Sequence, residues 1–307
     1  MNQSGAPQEK PIYLRWFDAL SPNGRGIFLV STGSFMLVIM AALSKFMGQR
    51  LPPFELVFFR AVIGFLFVMP LFWRDPFEPL RTGRHWTHLS RGLLSWLGNT
   101  AMFWTITHML LADAMALQFS RPLWTIPLAL LFLPESVPLR RIIVAIVGFA
   151  GIWMYARPFT DGFDPNAMVG AFGGLCAALV LVTVKRLSAT ESTRIIMFWY
   201  SFYNVLFALV PAWLVWVTPD LSDLPLLILI GFLGIAGQSL MTRGVHYGDA
   251  TLLAPLDYTR IIYSSAIGYF IFAELPGFWS VAGMVLIVGS SIYLVISEKR
   301  KKDAPST

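Results

Sequence analysis

One stretch of this sequence is written twice, and that repetition constrains the fold more than any other feature. The first copy runs from Asp113-Ala114 through an apolar segment to Phe132, then Glu135, then a second apolar segment carrying Ala145 and Gly151. The second copy runs from Asp249-Ala250 to Phe272, then Glu274, then a segment carrying Gly283 and Gly289. In both copies the final pair is six residues apart, and Glu precedes its first member by ten residues in one and nine in the other. The offset of 136 that relates Asp113 to Asp249 also aligns Gly98 with Gly234. A repeat of this length built from apolar helices marks a duplicated helical membrane protein.

The rest of the chain agrees. Hydrophobic residues make up 56% and charged residues 13%, a surplus of apolar surface that a 307-residue globule has no means of burying. Apolar runs long enough to cross a hydrocarbon core of about 30 Å fall near 26–44, 54–73, 92–110, 113–133, 139–156, 166–184, 195–217, 224–244, 250–272 and 278–297. The expected fold is therefore an all-α polytopic membrane protein of ten transmembrane helices. Residues 26–157 form the first five-helix repeat and 166–297 the second, between a tail over 1–25 and a basic tail over 298–307. The first tail is polar and lacks the parts of a signal peptide; within it Ile12, Tyr13, Leu14, Trp16 and Phe17 suit the bilayer surface. Cys176 is the single cysteine and lies in an apolar run, so no disulfide framework is expected.

The formal charge of +6 reads as a topology label once its distribution is seen. With the N-terminus inside, sixteen Lys and Arg fall in inside segments and only Lys45, Arg50 and Arg157 outside. This asymmetry predicts an inner or plasma membrane protein with both termini cytoplasmic, and a lipid bilayer rather than a nucleic acid as the partner of the basic groups. Five spans per repeat is an odd number, so the second repeat enters from the opposite side and the halves are inverted. Two equivalent packings of inverted halves around one midplane site are the basis of alternating access in many secondary transporters. Two halves in one chain close such a path, so a monomer is sufficient.

The segment Ala112-Asp113-Ala114 to Pro122 with Glu135, and the segment Pro255-Leu256-Asp257-Tyr258-Thr259 with Glu274, resemble the EamA-type carriers of the drug/metabolite transporter superfamily. The resemblance covers residues 26–297. It implies a carrier of small metabolites; similar carriers export amino acids and metabolites or import S-adenosylmethionine, riboflavin and other nutrients.

Four arginines remain inside the predicted spans: Arg60, Arg121, Arg243 and Arg260. An Arg at a helix centre costs about 2.5–3.5 kcal/mol on insertion scales, so each is expected to face a cavity, a partner or the interface. At the repeat offset Arg121 corresponds to Asp257, and the pair is expected to meet across the pseudo-twofold axis, as an ion pair or as two poles gripping a zwitterion. Arg260, three residues after Asp257, shares its face. Arg60 is a further ligand candidate; Arg243, near a span end, reads as a snorkelling side chain. Asn99, Trp104, Trp124 and Tyr258 are expected to line the cavity, with Trp199, Tyr200 and Tyr203 forming an aromatic face on the seventh span. Asp113 and Asp249 read as helix caps, and Glu135 and Glu274 as serving the start of the following helix.

His108 and Asp113 have an H-x-x-x-x-D spacing used by some membrane acyltransferases, but the pair straddles a hairpin without companion motifs. His85 and His88 are expected to be solvated in an inside loop. No metal-ligand cluster, phosphate-binding Gly loop or nucleophile elbow is present, so no cofactor or nucleotide is expected and the chain is not read as an enzyme. Four buried arginines against one deep acid favour an anionic or zwitterionic organic substrate moved by a secondary transporter. Protons are a candidate coupling ion. Alternatives are export of drugs or other amphipathic solutes, and an ion- or lipid-conducting pore.

Overall fold

The computed structural model describes residues 20–132, 139–156, 163–188, 190–247 and 259–302. Among these residues the chain forms eleven α-helices with two short 3-10 turns and no strand. In the first repeat they are α1 (Pro22–Met47), α2 (Pro53–Val68), α3 (His85–His108), α4 (Leu111–Gln118), α5 (Arg121–Phe132) and α6 (Leu139–Ala156). In the second they are α7 (Asn166–Ser188), α8 (Thr193–Leu214), α9 (Leu224–Tyr247), α10 (Thr259–Phe272) and α11 (Phe278–Lys302). Local chemistry sets several starts: the Ser21 hydroxyl accepts the Gly24 N–H at 3.1 Å with Pro22 following, and Ser192 accepts the Ile195 N–H at 3.4 Å.

The chain is an integral, all-α membrane protein. Five described helical segments are long and apolar enough to cross a bilayer: Gly24–Met47, Pro53–Phe72, Asn166–Val184, Arg194–Leu214 and Leu224–Met241. The helix α3 is not among them although its 24 residues make it about 36 Å long at 1.5 Å per residue. Its hydropathy is lowered by His88, Arg91, Ser95 and Asn99, which lie along one face.

The fourth span departs from the continuous helix expected over 113–133. It breaks at Phe119-Ser120 into α4 and α5. Pro122 is the physical reason: it lacks an N–H for the Gln118 carbonyl and its ring collides with that carbonyl. The backbone at the break is supported from the other repeat, where the Ser291 hydroxyl of α11 donates to the Phe119 carbonyl at 2.8 Å.

The four most extensive helix contacts are α1 with α9, α3 with α7, α6 with α11, and α2 with α8. Counted as spans these are 1 with 8, 3 with 6, 5 with 10, and 2 with 7. Exchanging the repeats turns the first pair into the second and returns each of the others to itself, as a twofold relation between the halves demands. Each contact therefore joins one repeat to the other. Glycines permit the closest crossings: a Cβ on Gly33 would lie 2.7 Å from the Gly237 carbonyl oxygen, and one on Gly151 2.8 Å from that of Gly283. Gly289 is not such a crossing point, since nothing lies within 4 Å of where its Cβ would stand. It borders an open groove of about 460 Å³ between α10 and α11, lined by Thr259 and aliphatic side chains such as Ile261, Met284 and Val288.

Two acidic residues read as local caps work across the repeats instead. Asp113 is buried at the third position of α4 and accepts the Ser280 hydroxyl of α11 at 2.9 Å. Glu274 follows Ala273, whose φ is 54°, and accepts the Leu111 N–H at 2.8 Å while pairing with Lys45. It serves the start of α4 rather than of α11. Their partners in the first and second copies, Glu135 and Asp249, lie outside the described residues.

The crossing geometry predicts that Gly151→Leu destabilises the protein by about 1–3 kcal/mol through overpacking, while Gly289→Leu is close to neutral. Thermal melting of the detergent-purified variants separates the two; equal losses would contradict the packing described.

Candidate functional site

The polar face of α3 is a stripe at helical spacing: His88, Arg91, Ser95 and Asn99 follow one another at intervals of three, four and four. It meets a matching stripe on α8, where Ile196, Tyr200 and Asn204 recur every four residues. The Asn99 amide donates to the Tyr200 hydroxyl at 3.3 Å and to Asn204 Oδ1 at 3.0 Å. Asn204 Nδ2 in turn donates to the Tyr200 carbonyl at 2.8 Å, which holds both asparagines and the phenol in one network.

Two guanidinium groups meet this network. Arg91 places its Cζ 5.0 Å from the Tyr200 ring centroid and donates from Nη1 to the Ile196 carbonyl at 3.0 Å. Arg60, from α2, lies over the Phe103 ring at 5.7 Å and, with Arg91, acts electrostatically on the Tyr200 hydroxyl. Gly234 on α9 makes room for it: a Cβ there would stand 3.0 Å from Arg60 Nε and from Met40 Sδ. Both arginines are half-buried, and their Nε atoms are covered without a hydrogen-bond partner among the described residues. Neither forms an ion pair among those residues. Half-buried guanidinium groups with no carboxylate beside them among the described residues, next to a phenol and two amides, make a place whose chemistry suits an anion.

At the end of the stripe His88 is fully buried, with both ring nitrogens lacking a hydrogen-bond partner. Its ring centroid lies 6.1 Å from that of Trp199, whose indole N–H donates to the Pro79 carbonyl at 2.9 Å. Burial lowers the His88 pKa below the usual imidazole value; Glu191 opposes this, and Arg91 and His85 add to it. The residue lies in the first turn of α3, which begins at His85.

The residues singled out in the sequence are distributed unevenly. Arg60 and Asn99 are in this cluster. Arg121 opens α5 directly after the break in the fourth span, exposed, with no ion pair or hydrogen bond among the described residues. Asp257 and Tyr258 lie outside the described residues, and with them the expected Arg121–Asp257 pair. Arg260 donates to the Met241 sulfur on α9, and Arg243 is exposed. Trp124 packs edge-to-face on Phe149 at 4.7 Å within the apolar core of α5, α6 and α7. Trp104 is nearer the helix end than expected: its indole donates to Asn166 Oδ1 at 2.8 Å and its ring stacks on His108 at 4.3 Å. His108 Nδ1 faces the Trp104 carbonyl at 2.9 Å, and Asp113 holds Ser280, so the two are engaged in different places.

Arg91, Asn204 and His88 were not expected here. His88 was read as solvated in an inside loop, and Arg91 was counted among the basic residues of the inside segments, because the third span was begun at 92; the structure starts the helix at His85 and buries His88 completely. The signal that finds them is the interval pattern 88, 91, 95, 99, which is helical and polar where apolarity alone sees a loop.

A sequence model of the EamA-like transporter family matches residues 24–157 and again 166–296. The chain belongs to that family. Family membership makes it a membrane transporter and not an enzyme. Among its relatives are a pseudopaline exporter of Pseudomonas aeruginosa, 32% identical with 89% of this chain and 97% of that protein covered, and an S-adenosylmethionine uptake transporter of Rickettsia bellii, 30% identical with 92% and 97% covered. A riboflavin transporter of Brucella anthropi is 28% identical, with 82% and 92% covered. A solved crystal structure shares the fold at a TM-score of 0.56 and 20% identity, covering 89% of this chain and 99% of that one.

The buried His88 gives the transporter an acid sensitivity whose sign follows from its lowered pKa. The unfolded chain takes up a proton near pH 6.5 and the folded one only at lower pH, so the contribution of neutral His88 is intact above 6.5 and declines as the pH falls from there through the folded value. Melting temperature should fall over that window in the native protein, and His88→Gln should flatten this part of the profile.

Proposed function

We propose that the protein is a secondary transporter of a small organic anion or zwitterion whose carboxylate is held by Arg60 and Arg91 beside Tyr200. The observation that carries this reading is the pair of half-buried guanidinium groups, their Nε atoms covered, with no acid beside them among the described residues. A bidentate Arg–carboxylate contact is short, directional and charge-assisted, and is worth most where water is scarce. Asn99 and Asn204 supply the neutral donors and acceptors that orient the rest of the solute, and Phe103 offers an apolar wall. In this reading the inverted halves expose the site alternately to the two faces of the inner or plasma membrane, with both termini cytoplasmic.

The relatives support a metabolite as cargo without choosing one. An S-adenosylmethionine-like solute has a carboxylate for an arginine and an adenine for the aromatic side chains. Riboflavin has no carboxylate, so it tests the anion directly. A second station is favoured by the broken fourth span. The half-helix α5 begins at the break with exposed Arg121, and half-helix N-termini in transporters face anionic groups of the substrate. Asp257 would supply the opposite pole for a zwitterion there, as the repeat offset suggests.

Thermal shift of the purified protein with S-adenosylmethionine, riboflavin, succinate and a set of amino acids tests these assignments. Carboxylate-bearing solutes should stabilise it saturably, and Arg60→Gln should weaken that binding about 10-fold or more, the loss of a charged hydrogen bond. Arg121→Gln should weaken it little if Arg60 and Arg91 hold the carboxylate. The reverse order of effects moves the site to the break in the fourth span. Stabilisation by riboflavin alone, unchanged by either substitution, rejects the anion reading. Flux in proteoliposomes that neither saturates nor shows counter-substrate competition would instead indicate a pore.

A further inference from the structure

The stripe on α3 does not end at the anion site. It continues one turn to His88, the most completely enclosed ionisable side chain on that face, with both ring nitrogens free of hydrogen bonds among the described residues. Ser95, between Arg91 and Asn99, is also buried with an unpartnered hydroxyl, and Arg91 Nε is covered in the same way. From His88 to Ser95 the stripe thus carries polar atoms without a partner among the described residues. A neutral imidazole in this position has one lone pair free to take a proton and one N–H free to donate.

We propose that His88 is a proton-binding site coupled to the anion site through Arg91, so that proton and anion favour each other's binding. This rests on the reading of Arg60 and Arg91 as the carboxylate site. The physical link is charge. Burial disfavours a positive charge at His88, and the neighbouring Arg91 and His85 add to it. An anion seated between Arg60 and Arg91 cancels that repulsion, and the proton then binds more readily. By linkage the same free energy strengthens the anion when the proton is present. The charged and titratable groups acting on His88 are Glu191 ahead of α8 and Arg91 and His85 on its own helix. Glu191 also accepts the Thr82 hydroxyl, which fixes its carboxylate close to the end of the stripe and keeps a counter-charge available for protonated His88. The proton is held on a ring nitrogen without any bond to the solute, and cargo and proton are released separately. The transport mode that follows is symport of an organic anion with a proton.

The chain has four histidines, so imidazole NMR of the full-length protein in lipid nanodiscs resolves each of them. The signal that disappears in His88→Gln should titrate below the others. Arg91→Gln should raise its midpoint by about 0.5–1 pH unit, the effect of removing a close like charge, and Arg91→Lys should leave it in place. Succinate, used as the anionic probe, should produce the same upward movement in the native protein. If His88 does not titrate between pH 4.5 and 8, or if Arg91→Gln leaves its midpoint unchanged while the variant melts cooperatively, the proton site is overturned. Movement in Arg91→Gln without any effect of succinate upholds the site at His88 and counts against the carboxylate reading on which the coupling rests.

Discussion

The arrangement on which the rest of the structure depends is the interleaving of its repeats. The most extensive packing joins α1 to α9, α3 to α7, α6 to α11 and α2 to α8, so no repeat packs chiefly on itself. In hydrocarbon there is no hydrophobic drive to bring helices together, and close backbone approach at small residues takes its place. Gly33 with Gly237 and Gly151 with Gly283 supply it on the pairs that involve the first and last spans of the first repeat. The polar stripe of α3 is left to face α8 and α2, with Gly92 beside it admitting Tyr203 of α8, since a Cβ there would stand 2.4 Å from that side chain. Glycine crossings hold the halves together, and the seam between α2, α3 and α8 gathers the polar side chains of Arg60, Arg91, Asn99, Tyr200 and Asn204.

That seam tolerates charge because its arginines keep partial access to water and lean on aromatic faces. Arg91 over Tyr200 and Arg60 over Phe103 recover part of the lost hydration through the ring quadrupoles. Pairing each arginine with a resident carboxylate would satisfy it more fully, and would also compete with any anionic cargo. The described geometry instead uses neutral groups, Asn99, Asn204 and Tyr200, as neighbours. Gly234 is part of the same solution, since any side chain on that position would push Arg60 away from α9.

The membrane class, the span count and the twofold relation were legible because they depend on patterns repeated over many residues. The break in the fourth span was written in Pro122, yet an apolar run reads as continuous unless the missing N–H is considered. Arg91 and His88 were hidden for a different reason: span prediction rewards apolarity, and a helix face devoted to a polar site lowers the score of the segment that carries it. Glu274 shows a third limit. Its position at a helix end was plain, but its partners Leu111 and Lys45 are 163 and 229 residues earlier, and only the inverted packing brings them together. Arg60 and Asn99 stood out because each is polar in the middle of an otherwise apolar run, which is the one site signal a single sequence gives clearly in a membrane protein.

The polar links near residues 45–55, 109–113, 216–223 and 273–280 all lie at one end of the bundle, and their strengths differ. Arg50 pairs with Asp220 and Asp223, the first of them well exposed, where an ion pair contributes only about 0–1 kcal/mol. Lys45 and Glu274 are 13% and 11% exposed, and Lys45 also donates to the Met109 carbonyl. This second pair ties the end of α1 to the segment that precedes α11. Parting it in the membrane interior would be prohibitive, but at a helix end both groups regain water as they separate, and the hydration offsets much of the lost attraction. An apolar seal of the same size would have no such compensation, losing about 25 cal/mol for every Å² exposed. A charged link at the rim, which water can share, and glycine crossings in the depth, which it cannot reach, thus fasten the two repeats by different physical means.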